Sequence, residues 1–195
     1  PSSSFPSSSS SSSSSKCVVV GDSQVRYLDR AFCEKDRNNR SRVCYPGAGV
    51  RDVSDRLDDV LSDVQPSAKV VFSTGGNDVG RVGSVVLRAR FEEALGRIRG
   101  RGYVPVVCGI LLRRKVGGEW LSRAIAVNLW LEDYCKRRGW SFVDSWDRFL
   151  GKSTLYAWDG VHLSVRGVRV LSDLLEGEVS RTPGFCRAGQ EGGRR

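Results

Sequence analysis

The sequence predicts a three-layer α/β/α protein in which helices cover both faces of a five-stranded parallel sheet. Short apolar runs, rich in β-branched residues, alternate five times with segments of helical periodicity. This alternation is typical of a doubly wound sheet. The strand runs are mostly continuous apolar segments, as expected where both faces of a parallel sheet are buried. With 195 residues, the chain is long enough for one well-buried domain.

Five apolar runs are predicted to be strands, and the first three end in turns rich in small and polar residues. These turns are Gly21-Asp22-Ser23, Pro46-Gly47-Ala48-Gly49 and Gly75-Gly76-Asn77-Asp78. Ligands of such folds bind beyond the carboxyl ends of the strands, so the turns are candidate parts of a functional site. The predicted strands are residues 17–20, 42–45, 70–72, 103–110 and 140–143.

Five further segments are predicted to be helices, because apolar residues recur at helical spacing or a cap residue marks the start. The first covers residues 24–36, the second stops before Pro66, and the fourth ends near Gly139. Ser164 is predicted to be the N-cap of the last helix. The residues predicted to face the core are Val53, Leu57, Val60, Leu61 and Val64 in the second helix, Leu87, Phe91, Leu95 and Ile98 in the third, Leu121, Ile125 and Leu129 in the fourth, and Val168, Leu171 and Leu175 in the fifth.

The two ends of the chain differ in composition from the middle. Residues 1–15 are almost pure serine, have nothing to bury, and are predicted to be a flexible linker. Residues 16–181 are predicted to be the folded domain, and residues 182–195, rich in Gly and Arg, a flexible tail. Because the chain contains no Met, we expect it to be a piece of a longer polypeptide.

Composition narrows the class of protein. The sequence is 39% hydrophobic and 27% charged, as in soluble globular proteins, with neither a membrane-span pattern nor a signal peptide. Cys17, Cys44 and Cys108 lie in predicted strands and no C-x-x-C pair occurs. Free thiols in a reducing compartment are therefore expected, rather than disulfides or a zinc site. The net charge of +9 favours an acidic partner, either nucleic acid or an anionic membrane face.

His162 is the only histidine in the chain and is the basis of the chemical prediction. Imidazole changes charge near neutral pH and is the usual general base for an oxygen nucleophile. Asp159 precedes His162 by three residues. This spacing lets a carboxylate reach the imidazole, fix its tautomer and stabilise the cation that it becomes.

Ser23, Gly49 and Asn77 supply the other parts of a candidate serine-hydrolase site. Ser23 follows the first predicted strand and can present its hydroxyl at the sheet edge, near a helix N-terminus. The backbone N–H of Gly49 and the side-chain amide of Asn77 can each donate to a developing oxyanion. These residues follow strands one to three and His162 follows strand five, so all four are predicted to converge at one edge of the sheet.

These segments resemble the four sequence blocks of the SGNH (GDSL-type) hydrolase superfamily, in the same order. The resemblance covers roughly Lys16 to Ser180 and implies an esterase or acetylhydrolase built on a flavodoxin-like sheet. The residues that carry it are Gly21-Asp22-Ser23, Gly49, Gly76-Asn77-Asp78 and Asp159-x-x-His162.

The resemblance also implies a role for each site residue. Ser23 would be the nucleophile, His162 the base and Asp159 its orienting carboxylate. The backbone N–H groups of Ser23 and Gly49 and the side chain of Asn77 would form the oxyanion hole. Within the second block Gly47 competes with Gly49 for this role, and Gly49 is favoured by its spacing to the following helix. The implied mechanism needs no metal and no cofactor.

A serine-rich stretch before a basic domain of this kind suggests a narrower resemblance. It looks like the esterase domain of the first-open-reading-frame protein of vertebrate LINE-type (non-LTR) retrotransposons. That resemblance implies a cytoplasmic ribonucleoprotein component whose upstream region self-associates and binds nucleic acid.

Two questions stay open at the level of sequence. The substrate ester is unspecified, and lipids, acetylated sugars and acetylated proteins are all candidates, with Trp120, Tyr156 and Trp158 as candidate pocket residues. The alternative function is a non-catalytic module that holds RNA or an anionic membrane through basic clusters. Those clusters contain Arg97, Arg99, Arg101, Arg113, Arg114, Lys115, Lys136, Arg137 and Arg138.

Overall fold

The structure is a computed structural model, and it describes residues 16–181 of the chain. The predicted linker (residues 1–15) and the predicted tail (residues 182–195) lie outside the described residues. Five strands form one sheet in the described part of the chain. They are β1 Cys17–Gly21, β2 Arg40–Cys44, β3 Lys69–Ser73, β4 Val104–Cys108 and β5 Ser141–Val143.

All neighbouring strands are parallel, and their order across the sheet is β2-β1-β3-β4-β5. This arrangement confirms the predicted α/β fold with a five-stranded parallel sheet. In the register, Val19 of β1 lies between Arg42 of β2 and Val71 of β3. The chain first builds the sheet outward from β1 to β2 and then returns to the other side of β1 with β3. Open α/β sheets bind their ligands beside such a switch point.

Helices connect the strands and cover both faces of the sheet. Among residues 16–181 there are also three short 3-10 turns, Ser23–Val25, Cys33–Asp36 and Ser153–Leu155. The α-helices are α1 Leu28–Ala31, α2 Val50–Asp55, α3 Leu57–Val60, α4 Ser84–Gly100, α5 Gly118–Arg138, α6 Trp146–Phe149 and α7 Val165–Val179.

The strands contribute to two separate hydrophobic layers, because successive side chains of a strand point to opposite faces. Val18 and Val20 pack in the layer beneath α2 to α5, whereas Val19 packs beneath α1 and α7. Phe72 of β3 and Phe91 of α4 meet edge to face in the first layer, with ring centroids 6.2 Å apart. Each fully buried side chain of this size stabilises the fold by about 1.5–3 kcal/mol. The sheet is thus packed on both faces, which fixes the position of its carboxyl edge.

The first predicted helix, residues 24–36, is wrong as a continuous element. The structure has a 3-10 turn, the single helical turn α1 and a second 3-10 turn there. Residues from Glu34 to Asn39 offer no apolar side chain, and a helix gains most of its stability by burying an apolar face. The second predicted helix is split into α2 and α3 at Arg56, which ends one helix and precedes the next with a φ of −98° and a ψ of 0°.

The predicted core face of α5 is also wrong, because the residues one position earlier are buried instead. Ile125 is 38% exposed and Leu129 is 62% exposed. The polar residue Asn128 is buried instead, because its amide accepts from the Ile110 N–H at 2.7 Å and donates to the Ile110 carbonyl at 2.9 Å. This bidentate contact turns the helix so that its buried face runs through Asn128. The other buried residues of α5 are Ala124, Val127, Leu131, Tyr134 and Cys135.

The predicted cap and the predicted buried face of the last helix are confirmed. The Ser164 hydroxyl accepts from the Gly167 N–H and caps α7, whose residues Val168, Leu171 and Leu175 are buried. The five cysteines among residues 16–181 are free thiols, although Cys44, on the edge strand β2, is only half-buried. None of the helices that the structure describes is long and apolar enough to cross a membrane.

Candidate active site

Ser23 lies at the carboxyl edge of the sheet, two residues beyond the end of β1. The turn before it is tight, because a Cβ on Gly21 would stand 2.0 Å from the Ser73 carbonyl oxygen of β3. The Asp22 N–H donates to that same oxygen at 3.1 Å, and the Asp22 carboxylate accepts from the Gln24 N–H at 2.9 Å. These contacts start a 3-10 turn with Ser23 as its first residue.

Asp22 itself is buried behind the turn. Burial raises the pKa of its carboxyl from 3.8 to about 6, against the opposing effects of the Gln24 N–H and the positive charge of Arg113. A carboxyl this far from solvent does not reach a substrate. Asp22 therefore shapes the turn that presents Ser23.

His162 is the link between Ser23 and Asp159. Its Nε2 lies 3.2 Å from Ser23 Oγ, and its Nδ1 lies 2.6 Å from Asp159 Oδ2. The histidine and aspartate side chains are 39% and 31% exposed, so a molecule in solution can reach this chain of hydrogen bonds. The structure thus brings together the serine, histidine and aspartate that the sequence analysis singled out.

Asp159 is held in place by its own loop. Its Oδ1 accepts from the N–H groups of Val161 and His162 at 2.8 and 2.9 Å. The bond to the His162 ring is the largest cause that lowers the pKa of Asp159 to about 2, and the two backbone bonds add to it. The carboxylate is therefore ionised at neutral pH. An ionised carboxylate beside Nδ1 favours the tautomer with its proton there, which leaves the Nε2 lone pair directed at Ser23.

Gln24 is a site residue that the sequence analysis missed. Its side-chain Nε2 donates to the Val161 carbonyl at 2.8 Å, from the turn of Ser23 to the loop of His162. The residue is buried, and its Oε1 has no hydrogen-bond partner among the described residues. No sequence signal points to this contact, because its partners are 137 residues apart and the acceptor is a backbone carbonyl.

Gly49 lies where α2 begins, against the segment that follows β3. Its N–H donates to the Asp52 carboxylate at 2.8 Å, which caps the first turn of α2. A Cβ on Gly49 would stand 2.7 Å from the buried carboxylate of Asp78, which also accepts from the Val50 N–H. Gly47, in contrast, occupies an exposed turn with a φ of +77°.

Asn77 lies beyond β3 with both ends of its amide engaged. Its Nδ2 donates to the Ala48 carbonyl at 3.0 Å, and its Oδ1 accepts from Arg113 Nη2 at 2.8 Å. An amide nitrogen carries two N–H groups, and the bond to Ala48 uses one of them. Asn77 thus retains a donor for a further acceptor while its position is fixed from two sides.

The predicted basic clusters do not form one surface of unpaired charge. Arg97 and Arg101 both pair with Asp58, and Arg137 pairs with Asp133. Arg138 lies over the rings of Tyr134 and Trp140.

Of these clusters, Arg113 bonds the candidate oxyanion donor Asn77, and Lys115 donates to the Trp158 carbonyl beside Asp159 at 3.1 Å. Of the candidate pocket aromatics, Trp158 is 91% exposed, Tyr156 is buried, and Trp120 is half-buried beneath the Arg113 guanidinium.

Comparison with known proteins assigns the chain to a family. Residues 10–170 match the model of the GDSL-like lipase/acylhydrolase family. The chain belongs to this family. Membership confirms the resemblance inferred from the sequence blocks and agrees with a serine at the end of the first strand of a parallel sheet.

Solved structures of GDSL-type proteins share the fold. A GDSL-like lipase from Bacteroides thetaiotaomicron superposes with a TM-score of 0.74 at 15% identity, with 85% of this chain and 88% of that chain covered. A lipase/acylhydrolase from Enterococcus faecalis gives a TM-score of 0.69 at 16% identity, with 88% and 100% covered.

A zebrafish protein is more similar in sequence. The esterase domain of the ZfL2-1 ORF1 protein, from the zebrafish ZfL2-1 retrotransposon, is 31% identical, with 83% of this chain and 97% of that chain covered, and its TM-score is 0.47. Among curated proteins, no sequence matches the chain.

Proposed function

We propose that this GDSL-family protein is a serine esterase that hydrolyses carboxylic esters through an acyl-enzyme. The observation that carries the proposal is the unbroken chain of hydrogen bonds from Ser23 Oγ through His162 to the Asp159 carboxylate. A serine hydroxyl is a weak nucleophile until a base takes its proton, and this arrangement supplies the base and the group that orients it.

The first half of the reaction acylates Ser23. As Ser23 Oγ attacks the ester carbonyl carbon, its proton passes to His162 Nε2, and the carbonyl oxygen becomes an oxyanion. The ionised Asp159 stabilises the imidazolium that forms. When the tetrahedral intermediate collapses, the C–O bond to the alcohol breaks. The imidazolium returns the proton to the leaving oxygen, and the acyl group stays on Ser23.

The second half releases the acid. Water takes the place of the alcohol, and His162 Nε2 accepts one of its protons as the water oxygen attacks the acyl carbon. The bond to Ser23 Oγ breaks, and Ser23 regains the proton from the imidazolium. The products are the alcohol of the first half and one carboxylic acid, and the protein returns to its initial state without a metal or cofactor.

Three donors are proposed to stabilise the oxyanion: the backbone N–H groups of Ser23 and Gly49 and the side chain of Asn77. Preorganised donors of this kind contribute because they need not reorganise as negative charge develops. Asn77 meets that condition with its second N–H. The Gly49 N–H donates to Asp52 in the structure, so it must share or exchange that partner to serve the oxyanion.

The biological setting is proposed to be a retrotransposon-encoded protein. The serine-rich stretch before a basic domain favours this origin, as does the 31% sequence identity to the zebrafish retrotransposon esterase domain. A cytoplasmic ribonucleoprotein that self-associates through an upstream region follows from the same proposal. The alternative, a non-catalytic module for RNA or anionic membrane, receives less support, because several of the predicted basic residues are paired within the fold.

The test is ester hydrolysis by wild type, Ser23→Ala and the control Ser62→Ala, with p-nitrophenyl esters of short and long acyl chains. Ser62 is an exposed serine whose hydroxyl bonds the Asp59 carbonyl within the same local turn. We expect wild type and the control to hydrolyse esters and to bind one fluorophosphonate label per chain, whereas Ser23→Ala does neither. Equal hydrolysis or equal labelling by Ser23→Ala would refute the proposal.

A further inference from the structure

Arg113 occupies a defined position behind the candidate oxyanion hole. It follows β4 by five residues and reaches the segment beyond β3, where its Nη2 donates to Asn77 Oδ1 at 2.8 Å. A Cβ on Gly76 would stand 3.0 Å from the same nitrogen, and the guanidinium lies 5.5 Å from the Trp120 ring centroid. The guanidinium thus lies between the Asn77 amide and the Trp120 ring, in space that only a glycine at position 76 leaves free.

The two partners of Asn77 have opposite hydrogen-bonding character. A guanidinium can only donate, and the Ala48 carbonyl can only accept. The amide therefore has one orientation that satisfies both, with its oxygen toward Arg113 and its nitrogen toward Ala48. A flipped amide would face donor to donor and acceptor to acceptor and would lose both bonds. Arg113 in this way selects the amide orientation that offers an N–H to the oxyanion.

Charge adds to this selection. A cation on the amide oxygen draws electron density from the Nδ2–H groups, and charge-assisted bonds are roughly twice as strong as neutral ones. Besides its bond to the neutral Asn77 amide, Arg113 feels two charged groups: Asp22, buried under the Ser23 turn, and the cation of Arg81. Arg113 is half-buried, so solvent screens its field only in part.

We propose that Arg113 is a positioning residue of the oxyanion hole, which holds and polarises the Asn77 amide without touching the substrate. This inference rests on the proposed function, because it assigns Asn77 to an oxyanion. Since Arg113 acts through Asn77, we expect its removal to lower kcat by no more than the removal of Asn77 does.

The test is a double-mutant cycle in the intact chain with Arg113→Met, Asn77→Ala and both together, and Arg114→Met as control. Arg114 is exposed, and Met keeps its Cβ, from which a Cβ on Gly160 would stand 2.9 Å away. We expect Asn77→Ala to lower kcat by about 10²–10³-fold and Arg113→Met by roughly 10–10²-fold, with KM nearly unchanged. The double variant should match Asn77→Ala within about twofold.

Two more measurements separate positioning from general damage to the fold. Arg113→Lys, which keeps a donor and the charge, should recover part of the lost kcat. In nitrogen–proton correlation spectra, the two Asn77 side-chain amide protons should give distinct signals in wild type, and the proton bonded to the Ala48 carbonyl should be protected from exchange. In Arg113→Met both signals should shift and this protection should fall. Neither effect is expected of a residue that only stabilises the fold.

Several outcomes would overturn the inference. These are losses of kcat that multiply in the double variant, a rise of KM at unchanged kcat, an equal loss in Arg114→Met, or unchanged Asn77 signals in Arg113→Met. A wild-type protein without esterase activity would refute the proposed function instead. In that case the amide signals still decide whether Arg113 orients Asn77.

Discussion

Gln24 Nε2 donates to the carbonyl oxygen of Val161 across 2.8 Å and so joins the turn of Ser23 to the loop of His162. Neither of these two atoms takes part in the proposed proton transfers. The contact nevertheless ties together the two segments whose separation determines the distance of 3.2 Å between Ser23 Oγ and His162 Nε2.

Gln24→Leu should lower kcat while it leaves stability almost unchanged. Leucine has a similar volume, and it removes the buried Oε1 that has no partner as well as the bond to Val161, so the two effects on stability oppose each other. A misplacement of about 1 Å between reacting groups can cost roughly 10²-fold in rate. Steady-state kinetics and urea unfolding measure the two effects. Gln65→Leu, the same change at an exposed position, is the control, and full kcat in Gln24→Leu would contradict this role.

The three residues of the hydrogen-bonded chain should differ in importance. Ser23→Ala or His162→Ala should lower kcat on the order of 10⁶-fold, since both act in one step. Asp159→Asn should cost roughly 10⁴-fold. An asparagine oxygen can still accept from the Val161 and His162 N–H groups, so this variant tests the charge without loss of the loop. Steady-state kinetics with circular dichroism as a folding check gives the order. A greater loss in Asp159→Asn than in His162→Ala would contradict the assigned roles.

Asp22 should make the protein less stable as the pH rises from about 4 to 6. Its pKa is 3.8 in the unfolded chain and about 6 in the fold, so in this window the unfolded state ionises while the folded state must stay protonated. Asp22→Asn, which can still accept from the Gln24 N–H, should lack this decline. A shift of about two pKa units corresponds to about 3 kcal/mol, so the free energy of unfolding of Asp22→Asn at pH 8 should exceed that of wild type by up to this amount. Chemical unfolding at pH 4, 6 and 8 checks it, and parallel pH curves for both proteins would disprove it.

The loss of activity in acid should belong to His162 and not to Asp22. A protonated imidazole cannot accept the Ser23 proton, so kcat/KM should fall tenfold per pH unit at low pH, with one proton taken up. Asp159 does not protonate in this range, because its pKa is about 2. The pH–rate profile of Asp22→Asn should keep the same acid limb. A limb that disappears in this variant would mean that Asp22 controls the activity.

Two glycines of α7 should respond in opposite directions to the same substitution. A Cβ on Gly167 would stand 2.0 Å from the Leu155 carbonyl oxygen, whereas a Cβ on Gly177 would meet nothing within 4 Å. Gly177→Ala should stabilise the fold by about 0.5–1 kcal/mol, because alanine is the better helix former. Gly167→Ala should destabilise it despite the same gain in propensity. Thermal unfolding of both variants gives the comparison, and equal shifts in Tm would show that α7 moves freely away from Leu155.

Sequence patterns predicted the fold, and singled out candidate site residues, wherever the signal was local. The strands were recognisable from their apolar runs. Ser23, Gly49 and Asn77 stood out as short motifs at predicted strand ends, and Asp159 and His162 as a motif in the loop after the fifth strand.

The wrong or missing predictions depend on contacts that only the fold creates. The buried face of α5 is set by the bond of Asn128 to the Ile110 backbone. The roles of Gln24 and Arg113 depend on partners 137 and 36 residues away. No periodicity encodes such pairings, because the partner is reached only after the sheet has formed.

The separation of Ser23 and His162 by 139 residues has a consequence for protein synthesis. At about 5–20 residues per second, a ribosome reaches His162 roughly 7–28 s after Ser23. During this interval the emerging chain carries a nucleophile without its base. His162 also comes after β5, and α7 behind it packs on α1, where the Ser172 hydroxyl donates to the Ala31 carbonyl at 2.7 Å. Esterase activity is therefore expected to begin only once the ribosome has passed β5 and α7. Until then the nascent chain cannot hydrolyse esters in its neighbourhood.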